Sequence, residues 1–255
     1  MVGTPAVCKR RMAIMIKKIP FTLSLLAVSM LCAVFAGSAF AETTLLAEWL
    51  ANGVGLTINV GIEKTGTIKL EDTETIAGKS AIRCSGIADG TVGPDGTGEV
   101  TRLLNLKGEE VGALGGLALL GTGAGSDCQA ISGCAEGTAT SPIEVWPIGL
   151  PVKGELFLME DGTFLLLGTP VGSAGYEILC LILGLNAEDE CTGTNGEGLI
   201  QNSPVTGDAS TPAGSRLTPN ATCTQSGGKA TGVVEETEES TDKLVNGELL
   251  TVSSV

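Results

Sequence analysis

The sequence predicts an all-β fold, an antiparallel β-sandwich or barrel that is stapled by disulfides and carries long surface loops. Three observations carry that expectation. Short stretches alternate polar and apolar residues, the period of a sheet with one face in water. Turn chemistry separates them, and 35 of the 37 glycines lie after residue 41. Six of the eight cysteines fall in the same region.

The elements follow in order. Thr67-Ile68-Lys69-Leu70-Glu71 alternates strictly, and Glu99 to Leu106 forms a second run. Ile143-Glu144-Val145-Trp146 alternates and is expected to stop at Pro147, which has no N–H to give to a ladder. Glu155–Met159 and Thr163–Leu167 flank Glu160-Asp161-Gly162, where Asp-Gly marks a hairpin turn. Tyr176–Leu183 is nearly all apolar and reads as a central strand buried on both faces. A short buried helix is its alternative, because periodicity does not separate the two. Lys243–Ser254 offers a closing strand, with Asn246-Gly247 near its start. Residues 192–222 turn to Gly, Ser, Thr, Asn and Pro, the composition of a long surface loop or partly disordered insertion. The acidic run Glu235–Asp242 reads as a solvated connector.

Residues 1–41 read as a secretory signal peptide. Lys9, Arg10, Arg11, Lys17 and Lys18 precede an apolar run from Phe21 to Phe35, and Ala39-Phe40-Ala41 is an A-x-A cleavage site. A membrane anchor is the alternative, but the run is shorter than the roughly 20 residues a spanning helix needs. Residues 42–255 are therefore expected to be a single β-rich extracellular domain, secreted or cell-wall associated, with no permanent membrane anchor. That part carries 10 basic and 29 acidic residues, a net charge of −19. Such a surface repels phosphate, so nucleic acid is not an expected partner. The chain has no histidine, which removes imidazole catalysis and His-ligated zinc.

Cys84, Cys128, Cys134, Cys180, Cys191 and Cys223 remain after the signal, an even number in an exported chain. Local closure favours Cys128–Cys134 and Cys180–Cys191, which leaves Cys84 with Cys223. A rival scheme comes from a possible internal duplication. Trp49 is followed by Cys84 after 35 residues and Cys128 after 44 more, while Trp146 is followed by Cys180 after 34 and Cys223 after 43 more. Two related halves would pair Cys84 with Cys128 and Cys180 with Cys223, although the intermediate spacings disagree and chance explains the match better.

Few constellations carry chemistry. Gly78-Lys79-Ser80 resembles the end of a phosphate-binding loop, but Thr73 stands where that loop needs glycine, and no amphipathic helix follows. Asp89, Asp95 and Glu99, interleaved with glycines, are the candidate ligands for a calcium ion; turn chemistry explains the same residues. Beyond that calcium reading no cofactor is implied. Glu144, Glu155, Glu160 and Glu177 lie on or beside strand-like segments and are the carboxylates a glycoside hydrolase would draw on. After the signal only Trp49, Trp146, Tyr176, Phe157 and Phe164 remain as aromatics, few for a sugar cleft, and the two tryptophans read as core anchors. Asn220-Ala221-Thr222 matches a glycosylation acceptor.

Several segments are similar to one group of proteins. Cys84-Ser85-Gly86, Asp89-Gly90-Thr91-Val92-Gly93-Pro94, Val145-Trp146-Pro147 and Cys180-Leu181-Ile182-Leu183-Gly184 resemble β-rich exported proteins of soil actinobacteria, as do Thr231–Glu235 and Leu249–Ser253. The resemblance implies export and a shared fold, and it transfers no functional residue. The expectation is an exported, non-catalytic protein that binds or builds part of the cell envelope, with its partner unassigned. The alternatives are a secreted hydrolase using paired carboxylates and a calcium-dependent adhesive module.

Overall fold

The computed structural model describes residues 45–170, 172–194, 196–216, 221–224, 229–234 and 240–255. Residues 1–41, Asn220 and residues 235–239 lie outside them. Among the described residues the chain forms strands and one 3₁₀ turn, Pro94–Gly96. The first strands are β1 (Leu45–Ala51), β2 (Val54–Gly55), β3 (Val60–Thr75), β4 (Gly78–Val92) and β5 (Thr97–Leu104). Then come β6 (Leu119–Gly121), β7 (Cys128–Ser132), β8 (Ile143–Ile148), β9 (Val152–Leu158) and β10 (Phe164–Pro170). They continue as β11 (Ala174–Ile182), β12 (Leu185–Gly193), β13 (Gly196–Asn202) and β14 (Ala209–Thr211). The last are β15 (Ala221–Cys223), β16 (Lys229–Val234), β17 (Ser240–Leu244) and β18 (Leu250–Ser254).

The long hairpin β3–β4 organises everything else. One half of it enters a closed antiparallel barrel of eight strands, β3-β4-β5-β9-β10-β13-β14-β17 and back to β3. Closure leaves the ring no free edge. The other half enters a sheet that runs β7-β4-β3-β16-β15-β12-β11-β8-β6. Its end strands β6 and β7 come together without a ladder between them among the described residues. Two cores result. Trp49, Ile62, Val92, Leu156, Ile200, Leu244, Leu250 and Val252 fill the barrel lobe. Leu70, Ile82, Val111, Ile143, Val145, Tyr176, Ile178 and Ile182 fill the other, together with all six described cysteines.

The all-β, antiparallel, disulfide-bonded architecture is as the sequence predicts. Tyr176–Ile182 belongs to a strand, with Leu183 in the turn that follows, and β9 and β10 form the hairpin around Asp161-Gly162, where Asp161 accepts from the Thr163 amide at 3.0 Å. Other readings need correction. Residues 192–222 are not one long loop: they hold the end of β12, then β13, β14 and β15, with Ala209, Ser210 and Thr211 buried. Small polar residues pass for loop in a sequence but pack well inside a narrow barrel. Pro147 does not end β8, which continues to Ile148. The neighbouring β6 pairs only as far as Val145, so at Pro147 one side of the strand is an edge, where a missing N–H costs no ladder bond. Asn246-Gly247 separates two strands, β17 closing the barrel on β3 and β18 pairing with β1. Asp242, at the end of the supposed solvated connector, is buried in β17.

The disulfides join Cys84 to Cys128, Cys134 to Cys180, and Cys191 to Cys223. Thus Cys128–Cys134, Cys180–Cys191 and Cys84–Cys223 do not form, and of the rival scheme only Cys84–Cys128 does. Register is the reason. Cys84 faces Cys128 across β4–β7, and Cys191 faces Cys223 across β12–β15, each pair with Cα atoms 4.1 Å apart. Cys128 opens an extended strand whose far end is already about 13 Å away by strand rise, which puts Cys134 out of reach. The β11–β12 turn falls at Leu183-Gly184, both at positive φ, which sets Cys191 opposite Tyr176 rather than Cys180. Cys134 instead bridges to Ile182 beside Cys180. No helix among the described residues is long and apolar enough to cross a membrane.

Candidate functional site

The two cores do not meet. Along β3, between Ile62 of one core and Leu70 of the other, lies a partly open cavity of about 340 Å³, bounded by β3, β4, β5, β6, β8, β9 and β11. The register of the long hairpin explains it. On the inner face Ile62 sits in the barrel core and Leu70 in the other, while the positions between carry Lys64 opposite Ala88 and Gly66 opposite Gly86. Gly66, Gly86 and Ala88 line the open space with little side chain, and at Gly86 an added Cβ would come within 3.1 Å of the Leu104 carbonyl oxygen. Ala174 and Gly175 line it on β11, where the Cys191–Thr192 backbone stands in the place a Cβ of residue 175 would take.

The polar groups on this wall have partners within the protein. Lys64 Nζ donates to Thr211 Oγ1 at 2.5 Å and to the Asp242 carboxylate at 3.1 and 3.2 Å. Tyr176 Oη donates to the Glu71 carbonyl at 3.1 Å, and Trp146 Nε1 to the Gly116 carbonyl at 3.2 Å. Burial pushes the Tyr176 phenol far up, and the charges of Asp189, Asp72 and Glu71 add to the rise, so it stays neutral. Burial also pushes Asp242 up, against the pull of Lys64, and the charge of Asp208 adds to the rise. What faces the cavity is therefore chiefly carbon, from Ile68, Leu103, Leu119, Val145, Ile148 and Val152.

The candidates read from the sequence lie elsewhere. Asp89 is on β4, held by the Arg102 guanidinium across β5; Asp95 is in the 3₁₀ turn; Glu99 is on β5 opposite Lys153. Among the described residues these three carboxylates do not gather into one cluster of ligand atoms. The group that does gather is Asp72, Asp189, Cys191 and Cys223, with ligand atoms within 4.8 Å of one another. The two cysteines are joined in a disulfide, so they offer no thiolate and only two carboxylates remain. Lys79 of the rejected phosphate loop sits at the start of β4 and pairs with Glu71 at 2.7 Å.

Of the four hydrolase carboxylates, Glu144 and Glu177 share the outer face of the β8-β11-β12 sheet, while Glu155 is exposed on β9 and Glu160 in the turn after it. None of the four lines the cavity. Glu177 is joined there by Glu188 and Glu190 of β12, which sequence reading missed; the alternation Glu188-Asp189-Glu190 was the available signal. Burial pushes the Glu177 carboxyl above its ordinary 4.5, and a hydrogen bond and charge from Glu188 and the charge of Glu190 push it further. Such a group keeps its proton in the folded state at a pH where the unfolded chain has released it. Stability therefore rises as pH falls from neutrality toward 4.5. Glu71 has the opposite sign: burial raises it, but Lys79 and Lys69 hold it below 4.5, so its contribution is lost only as pH falls below that value. The melting temperature is thus expected to climb on mild acidification and then drop. Glu177→Gln should raise the melting temperature at neutral pH and shrink the climb, leaving the part due to Asp242; a climb of unchanged size would refute the assignment.

No family model matches the chain, and no curated protein or solved structure is significantly similar to it.

Proposed function

We propose that this is an exported binding protein that holds a small apolar molecule in the cavity between its two cores. The cavity carries the reading: about 340 Å³ falls in the size range of small-molecule sites, and its wall is apolar with a few polar groups at defined places. The signal-like residues 1–41, the even cysteine set and the three disulfides support an extracellular or cell-wall setting. A structural role in the envelope would give no reason for a residue as short as Ala88 facing this open space.

Trp146 belongs to the strand β8 that bounds the cavity and Trp49 lies in the barrel core, so Trp49→Phe leaves one tryptophan, on the wall of the site. The Trp49 indole N–H is buried with no partner among the described residues, and phenylalanine removes that burden. A phenylnaphthylamine probe titrated into this variant should change Trp146 emission and saturate at one site. Ala88→Phe fills the space with a ring and should weaken binding at least tenfold while leaving the melting temperature unchanged or higher. Failure of apolar probes to bind, or equal binding by Ala88→Phe, would overturn the proposal.

A further inference from the structure

The cavity wall has a direction. It follows β3 from Lys64 to Leu70, six residues on, which is about 20 Å of extended strand. A cavity of roughly 150 Å³ accepts a benzene ring. This one has little more than twice that volume drawn out over a much greater length, so it fits a slender molecule better than a compact fused-ring one. One end is apolar and aromatic, where Leu70 stands with Tyr176, whose hydroxyl donates to the Glu71 carbonyl. The other end is Lys64. Its ammonium, the charged group on this wall, is held from the barrel side by Thr211 of β14 and Asp242 of β17.

From this we infer that the ligand is a single straight acyl chain, lying along β3 with its head oxygen accepting a hydrogen bond from Lys64. The inference rests on the cavity being the binding site and adds the ligand's class and polarity. An ammonium has three N–H donors; Thr211 takes one, and the two Asp242 oxygens at 3.1 and 3.2 Å can share a second, which leaves the third for a head oxygen. Asp242 already neutralises the charge, so the head needs an acceptor oxygen but no full negative charge. A free fatty acid and an acyl ester share this chemistry. Sugars, nucleotides and other polyhydroxylated molecules do not, because they would bury hydroxyls against carbon without partners.

The test is a homologous series of straight-chain acids, their methyl esters and the matching alkanes, titrated into the Trp49→Phe protein and read through Trp146. Affinity should rise about fourfold per added methylene, the transfer free energy of one buried CH₂. It should stop rising once the chain is as long as the cavity. Acids and esters should both exceed the alkane of equal length by at least tenfold, and their ratio tells which source is preferred. The double variant Lys64→Met/Asp242→Leu should erase the advantage of the oxygenated heads while still binding alkanes, which also shows that its cavity is intact. Binding without a chain-length limit, or alkanes equal to acids and esters in the Trp49→Phe protein, would overturn the acyl-chain inference and leave the apolar site standing. No binding of the series or of the aromatic probe would overturn both.

Discussion

Reduction of the three disulfides under native conditions is expected to unfold the protein. The closed loops span 44, 46 and 32 residues and follow one another along the chain without nesting. By the chain-entropy model each contributes about 4 kcal/mol. Together that is on the order of 10 kcal/mol, as large as the whole stability of an ordinary domain. The placement sharpens the expectation. All six sulfurs lie in one core and none in the barrel core. The barrel closes on itself by backbone ladders. The second sheet ends in β6 and β7, which are not laddered together, and Cys84–Cys128 ties β7 to β4 there. Circular dichroism melts with and without a phosphine reductant check this, and peptide mapping without reduction should recover the three pairs named above. A melting temperature that moves only a few degrees on reduction would show that the sheet closes without its staples.

Lys64→Met is expected to destabilise the protein by about 3–5 kcal/mol, because it leaves the Asp242 carboxylate buried without its cation. Asp242 is 2% exposed, so water cannot take over the role of the ammonium. The double variant Lys64→Met/Asp242→Leu should recover most of that loss, since the desolvation cost of the pair disappears with the pair. The single variant also carries a pH signature. Burial already raises Asp242, and without the opposing pull of Lys64 it rises further. The folded single variant therefore takes up a proton on mild acidification that the unfolded chain does not, and its deficit should shrink as pH falls from neutrality. Urea unfolding of the three proteins at two pH values measures all of this. A double variant no more stable than the single one would show that the inner barrel positions require polar groups.

Both predictions turn on features that were unequally legible in the chain. Alternation over Thr67–Glu71 and the Asp-Gly turn between β9 and β10 declared their strands, because side-chain period and turn chemistry are local. The disulfide pairing was not legible. It depends on which residues two strands place opposite each other, and Leu183-Gly184, which lacks the usual Asn-Gly signature, moved that register. Residues 192–222 were misread for the same kind of reason: Ala209, Ser210 and Thr211 become barrel interior only when β13 and β17 stand on either side of them.

The candidate site lies still further from the reach of sequence. Gly66, Gly86 and Ala88 look like unremarkable small residues until β3 and β4 are aligned, and Lys64 looks like an ordinary strand lysine until β17 brings Asp242 to it. By itself the sequence determined that this chain is a β protein, acidic, rich in turns and holding an even number of cysteines. Those properties come from composition and from neighbours a few residues apart. The tertiary structure decided that there are two cores, which cysteines meet, and that a cavity lies between the cores. Each depends on register between strands distant in the chain, where a shift of one residue would turn every side chain to the opposite face.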